Sequence, residues 1–233
     1  IIADKKLPMF ENTILALEES SKILDNVKAV FSAIANSHTN NSIKDIEKEL
    51  TPKFSIHEDD ILLNRLLFEK VKAVYNKVVE LKLDNESTHL VKEYYKNFIK
   101  AGANLSDEKK EELKINNSRT AVLRNKFGKI LLNVSNNSKV RDKALEKENI
   151  YELQLINTTQ QPALQVLENR ELRKKIFNKS INRTEGGIFD TTEIVKELAT
   201  LNSKKAKILG FQNYASWRLQ GSMANTPNNV FDM

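Results

Sequence analysis

Apolar residues recur three, four and seven positions apart along most of this chain, a period that commits it to helices packed side by side. From Phe10 they fall at Phe10, Ile14, Leu17, Leu24, Val27, Phe31 and Ile34, one face of a long helix. A second helix is expected through Ile43, Ile46 and Leu50, with Pro52 stopping or bending it because proline lacks the donor of the helix ladder. Residues 55–82 repeat the pattern through Leu62, Leu66 or Leu67, Val71, Val74, Val78 and Leu81. A shorter helix with Leu90, Val91, Tyr94, Tyr95 and Phe98 inward is expected to end at Gly102. The next has acids in its first turn, opposing the positive end of the helix dipole, and a face of Leu113, Asn116, Thr120, Leu123, Phe127, Ile130 and Val134.

Antiparallel packing through short polar loops buries these faces together. The expected fold class is therefore mainly all-α, an antiparallel helical bundle with one short strand near residues 151–156. Two regions are expected: a helical bundle over residues 1–140, and a strand plus helices over residues 151–233. In the second, Pro162 sits at the first turn of a helix. Asp190 caps another, with Glu193 completing a capping box and Phe189 and Ile194 forming a staple. That helix stops at Gly210, and Thr226 with Pro227 starts one more. A chain that ends within two turns of a freshly capped helix start reads as truncated at Met233.

Composition excludes several function classes. With 40% hydrophobic and 29% charged residues, the chain is ordinary for a soluble protein. No apolar run is long enough for a membrane span, and the start carries no targeting signal. The absence of cysteine removes disulfides, thiolate metal sites and cysteine nucleophiles, and fits a cytoplasmic protein. The net charge of +6 arises after residue 100, yet Arg170, Arg173, Lys174, Lys175, Lys179 and Arg183 spread around their helix. A nucleic-acid site wants a basic stripe with stacking aromatics; the dispersed charge reads as a solvated surface, with no nucleic acid and no membrane among the expected partners.

The residues supply no self-contained active site. Of three histidines, His38, His57 and His89, only His57 begins a His-Glu pair, and Ile61 stands where a second zinc ligand belongs. Asp59-Asp60 and Glu111-Glu112 are adjacent acids, which point about 100° apart on a helix and do not converge on one bond. Gly186-Gly187 reads as a turn before the capped helix. No serine sits in a nucleophile elbow.

The segment "YELQLINTTQQPALQV" is different in kind. Tyr151, Leu153 and Leu155 alternate with Glu152 and Gln154, the period of a half-buried strand. The uncharged run Asn157, Thr158, Thr159, Gln160 and Gln161 follows, with amides and hydroxyls able to bond a peptide backbone. A structural alternative stands beside that one: Thr158 or Thr159 caps the following helix and Asn157 closes a turn.

The stretches "FENTILALEES", "SIHEDDILLNRLLFEKVKAVY", "KNFIKAGANLSDEKKEELKINN", "INTTQQPALQVLENRELRKKIFNKSINR" and "KAKILGFQNYASWRLQGSMANTP" together resemble the N-terminal half of the thimet oligopeptidase family of zinc metallopeptidases. Within it they are most similar to the peptidyl-dipeptidase and oligopeptidase A branch. The resemblance covers nearly the whole chain, in order. It implies an almost wholly helical protein whose two halves close over a channel admitting short, unfolded peptides. It also implies zinc held by a His-Glu-x-x-His helix and a later Glu, in the half that follows this chain. No residue here matches that motif, so no catalytic or metal-binding residue is expected in this chain, and the chain alone is expected to be inactive.

The resemblance further implies short peptides and the catalytic half of the same polypeptide as partners. Asn157, Thr158, Thr159, Gln160 and Gln161 become candidates for the channel wall. The strand at 151–156 is expected to pair with a strand of the catalytic half, so that without it the edge would promote self-association. Residues 140–151 are shorter than the family pattern. The competing expectation is a stand-alone helical module that binds peptides without cleaving them.

Overall fold

The computed structural model describes residues 1–146 and 152–233. The protein is mainly helical, with one two-stranded antiparallel sheet among the described residues. The helices are α1 (Ala16–Ser37), α2 (Asn41–Leu62), α3 (Arg65–Asn76), α4 (Asn85–Ala101), α5 (Asp107–Asn137), α6 (Lys143–Glu146), α7 (Asn157–Val166), α8 (Arg170–Ile181), α9 (Thr192–Ile208), α10 (Tyr214–Arg218) and α11 (Pro227–Phe231). The strands are β1 (Lys139–Val140) and β2 (Leu153–Gln154). Residues 1–122 with 201–233 form one compact unit and residues 123–200 a second.

In the first unit the chain enters through a π-helical turn, Phe10–Leu15. Asn12 holds that turn by accepting from the Met9 amide at 2.8 Å and donating to the Leu7 carbonyl at 3.0 Å. The main core joins this turn to α3 and α4 through Ile14, Phe68, Val71, Val74, Val91 and Phe98. Phe68 stacks with Tyr95 and Phe98 at 6.0 and 6.1 Å between ring centres, and Tyr75 with Tyr95 at 3.9 Å, adding to what apolar burial alone supplies.

Asparagines and one aspartate set the helix starts. Asn40, Asn64 and Asp84 accept from the amides of Ile43, Leu67 and Ser87, satisfying donors that a helix start leaves free. Pro52 does not stop α2, which runs on to Leu62. Proline removes only its own bond to the carbonyl one turn back, and the Thr51 hydroxyl bonds the Glu47 carbonyl at 2.7 Å in the same turn. The break falls instead at Asn64, whose extended backbone and side-chain cap begin α3. That helix ends at Asn76 rather than continuing to Leu81.

The sequence placed Val27 and Ile34 on the inward face of α1, yet both are exposed. The neighbouring helix α2 flanks α1 across a cleft lined by Phe31, Ala35, Leu50 and Phe54, and leaves the adjoining stripe open. The expected α5 face holds: Leu113, Asn116, Thr120, Leu123 and Val134 are buried.

Gly102 ends α4 at φ +102°, with the Ala103 amide reaching back to the Phe98 carbonyl at 2.9 Å. Gly210 ends α9 likewise, the Phe211 amide bonding the Ala206 carbonyl at 2.8 Å. Thr226 caps α11 with Pro227 behind it.

Polar links tie α2 to α5 and α5 to α9. Asn117 donates to Asp59 at 2.8 Å, and Lys205 donates to Asn117 at 2.8 Å. Lys205 Nζ also lies 4.6 Å from the Trp217 ring centre, and the Trp217 indole donates to the Lys100 carbonyl at 3.0 Å. Asp59 and Asp60 do point apart: Asp60 pairs with Lys114 at 2.8 Å. Burial pushes the Asp59 carboxyl up to about 6, against the opposing pull of the Asn117 hydrogen bond and the Lys205 and Lys114 charges, with Glu58 adding to the rise.

In the second unit β1 and β2 pair antiparallel, Lys139 opposite Gln154 and Val140 opposite Leu153. The Leu155 amide extends the ladder to the Ser138 carbonyl at 2.9 Å. β2 therefore has one partner within this chain, β1, which the sequence did not show; among the described residues no strand lies on its other edge. Tyr151 lies outside the described residues. Behind the sheet, Val140, Leu145, Leu155, Ala163, Leu172 and Ile176 form the core. Asp190 does not make the expected capping box: it accepts from the Thr192 and Gly186 amides at 2.7 and 2.9 Å, while Glu193 pairs with Lys196 at 2.8 Å.

A Cβ at Gly102 would lie 2.8 Å from Leu105 Cδ1 and 2.9 Å from Leu209 Cδ2, on left-handed backbone. Gly102→Ala is expected to lower stability by about 2 kcal/mol in denaturant unfolding. At Gly128, inside α5 with open space around it, the same change is expected to raise stability by about 0.8 kcal/mol.

Because the folded pKa of Asp59 lies above the usual carboxylate value, its ionised form opposes folding. That penalty is absent below about pH 4, grows up to pH 6 and is full above it. Asp59→Asn keeps the acceptor for Asn117 and is expected to stabilise at pH 7.5 by on the order of 2 kcal/mol. The gain should fade by pH 4; a melting temperature equal to wild type at both pH values would contradict it.

Candidate functional site

The five residues nominated by sequence, Asn157 to Gln161, do not form a corner before a helix. They are the first turn and a half of α7, which starts at Asn157. Pro162 is its sixth residue, and the helix tolerates it because only one bond, to the Thr158 carbonyl, is lost. Ile156 occupies the cap position without a side-chain bond, so neither threonine caps the helix and Asn157 closes no turn.

The structure sorts the five into two groups. Thr159 and Gln160 face inward. The Thr159 hydroxyl donates to the Gln154 carbonyl and lies 3.3 Å from that of Ile156, fastening β2 to the helix. Gln160 is buried, and its side-chain oxygen accepts from the Ser180 hydroxyl at 2.7 Å and from Arg183 at 3.4 Å. Asn157, Thr158 and Gln161 are exposed and present two amides and a hydroxyl to solvent.

Arg183, which the sequence suggested only as surface charge, organises the interior of this site. Its guanidinium donates to Ser135 Oγ at 2.9 Å, Ser180 Oγ at 2.5 Å, the Ser180 carbonyl at 2.7 Å and the Leu155 carbonyl at 3.5 Å, besides Gln160. Five donors meet five neutral acceptors, a satisfied fork that only arginine supplies. The knot joins α5, β2, α7 and α8, so the backbone carrying Asn157, Thr158 and Gln161 rests on a fixed support. No signal in the sequence distinguished Arg183 from its basic neighbours, because its partners come from three other elements.

Three basic residues of α8 bond locally. Lys175 pairs with Asp142 at 2.6 Å, Lys179 donates to the Lys139 carbonyl at 2.6 Å, and Arg173 bonds the carbonyls of Leu167 and Glu168 at 2.5 and 2.8 Å.

Among the described residues no group of three or more His, Cys, Asp or Glu side chains could hold a metal ion. The three histidines are each exposed and lie on different elements: His38 after α1, His57 on α2 and His89 on α4. The zinc implied by the resemblance therefore finds no donor set in the described residues, and no chemical step on a metal can be built from them. What the α7 surface offers is neutral hydrogen bonding from two amides and a hydroxyl.

Residues 163–233 match the model of peptidase family M3. Across 97% of its length the chain is 36% identical, over 249 aligned residues, to a dipeptidyl carboxypeptidase of Salmonella typhimurium, and it spans 37% of that protein. The aligned stretch is longer than the chain itself, so the relative carries residues within it that this chain lacks. A dipeptidyl carboxypeptidase of Escherichia coli is 37% identical over 110 residues, covering 47% of this chain and 16% of that protein. No helix of the described residues is long and apolar enough to cross a membrane. With the family signature in its last third and a peptidase likeness running through almost all of it, the chain belongs to peptidase family M3.

Proposed function

We propose that this chain is the N-terminal part of a cytoplasmic, zinc-dependent metallopeptidase that acts on short peptides, releasing dipeptides from C-termini or cleaving oligopeptides. The single observation that carries the reading is the likeness to a dipeptidyl carboxypeptidase over 97% of the chain. In this reading the chain forms one wall of the substrate channel. The zinc, its ligands and the residues that activate water come from the following half of the same polypeptide, and residues 1–233 alone hydrolyse nothing.

Asn157, Thr158 and Gln161 are the groups of this wall that meet the peptide backbone. Their neutrality suits a channel that accepts many sequences, since amides and hydroxyls bond a backbone without selecting charge. A second reading, a peptide-binding module without catalysis, draws on the same exposed trio, which needs no metal to hold a peptide.

The trio and its support are separable by experiment. In the complete polypeptide, replacing Asn157, Thr158 and Gln161 together by Ala is expected to raise KM several-fold with kcat and melting temperature nearly unchanged, the signature of lost uniform binding. Gln160→Ala is expected instead to lower stability by about 1 to 3 kcal/mol, because it leaves Ser180 and Arg183 donors without their acceptor. An unchanged KM for the triple variant would remove these residues from the channel. Tight peptide binding by residues 1–233, in a complete polypeptide that cleaves nothing, would favour the binding module.

A further inference from the structure

We propose that the outer face of α1 is the docking surface for an apolar helix of the polypeptide that follows this chain, an inference resting on the reading of the chain as the N-terminal part of a longer peptidase. Ile23, Val27, Val30 and Ile34 are 82%, 60%, 61% and 46% exposed. Their spacing of four, three and four residues draws a continuous seam along the helix, of the kind that packs knobs into the holes of a facing helix. Ala29 and Ala33 are also exposed, and small side chains beside the seam let a second backbone approach closely.

This face also lacks the charges that keep an ordinary helix surface in water. Between residues 26 and 37 the one charged side chain is Lys28, and its Nζ lies 4.8 Å from the Phe54 ring centre on α2, away from the seam. The adjoining side of α1 faces α2 across a cleft lined by Phe31, Ala35, Leu50 and Phe54. An uncharged stripe of β-branched residues on a helix this long is the sort of exposed patch that marks an interface.

Three occupants are conceivable, and the chain favours one. A membrane surface would want a polar face rich in Lys and Arg, and α1 carries only Lys22 and Lys28, outnumbered by Glu18, Glu19 and Asp25. A second copy would bury one seam of four large side chains on each side, well short of the roughly 20 to 30 residues per partner of a stable interface. A helix in the same polypeptide needs no such area, because the covalent connection removes most of the cost of association. The S. typhimurium relative has that polypeptide to spare, since this chain spans 37% of its length.

The test is Val30→Glu, read in residues 1–233 and in the complete polypeptide by melting temperature and by hydrogen exchange of α1. The substitution is expected to leave residues 1–233 within about 1 °C of wild type, since Val30 is exposed there, and to lower the complete polypeptide by about 4 °C or more. The amides of residues 23–34 should exchange at least tenfold more slowly in the complete polypeptide than in residues 1–233. Equal melting temperatures and equal exchange in the complete polypeptide overturn the proposal, as does a coding region with no following half. A concentration-dependent dimer of residues 1–233 that Val30→Glu disperses assigns the face to a second copy and also overturns it. A complete polypeptide that is sensitive at Val30 but cleaves no peptide keeps the docking surface and removes the peptidase reading.

Discussion

The Asn117 side chain joins segments of the chain that sequence holds far apart, and the first unit depends on that junction. It donates a hydrogen bond to Asp59, 58 residues earlier, and accepts one from Lys205, 88 residues later. An amide can donate to a carboxylate on one side and accept from an ammonium on the other while carrying no charge itself. The junction places a carboxylate in a partly apolar setting, which costs free energy, and the same bonds fix α2, α5 and α9 in one arrangement. Leu63, Leu113 and Ile208 close a small apolar cluster in the same unit, and Lys100 and Lys205 both lie over the Trp217 ring.

The second unit solves the same problem with a different residue. Arg183 collects four elements through neutral acceptors, leaving the exposed turn of α7 on a support that does not rely on a salt bridge. The two knots divide the labour: both rigidify, but only the one at Arg183 lies directly beneath polar groups free to meet a ligand. In the proposed reading the chain is a scaffold with a binding surface, and the chemistry is supplied by the polypeptide that follows it.

Much of the fold was legible because its signals are local. Gly102 and Gly210 ended helices as their lack of a Cβ predicts, Thr226-Pro227 started one, and the period through Leu113, Asn116, Thr120 and Leu123 marked a buried face. The failures were of other kinds. Pro52 suggested a break that a single lost hydrogen bond does not enforce, and the weaker signal at Asn64 was the true one. Lys139–Val140 is too short to show any period, so the partner of Leu153–Gln154 was invisible. The candidate residues Asn157 to Gln161 were found by composition, but which of them face inward depended on Ser135, Ser180 and Arg183, partners brought together only by folding. Val27 and Ile34 carried the periodicity of a buried face while serving an exposed one, because the period records that a face is apolar and not what covers it.

The central claim, that these residues build a wall and not a catalyst, is tested most directly by measuring zinc content and dipeptide release on residues 1–233 and on the complete polypeptide side by side. The account predicts no stoichiometric zinc and no hydrolysis for residues 1–233, with both present in the complete polypeptide. Zinc bound one-to-one by residues 1–233 with peptide hydrolysis, or a complete polypeptide that cleaves nothing, would contradict it.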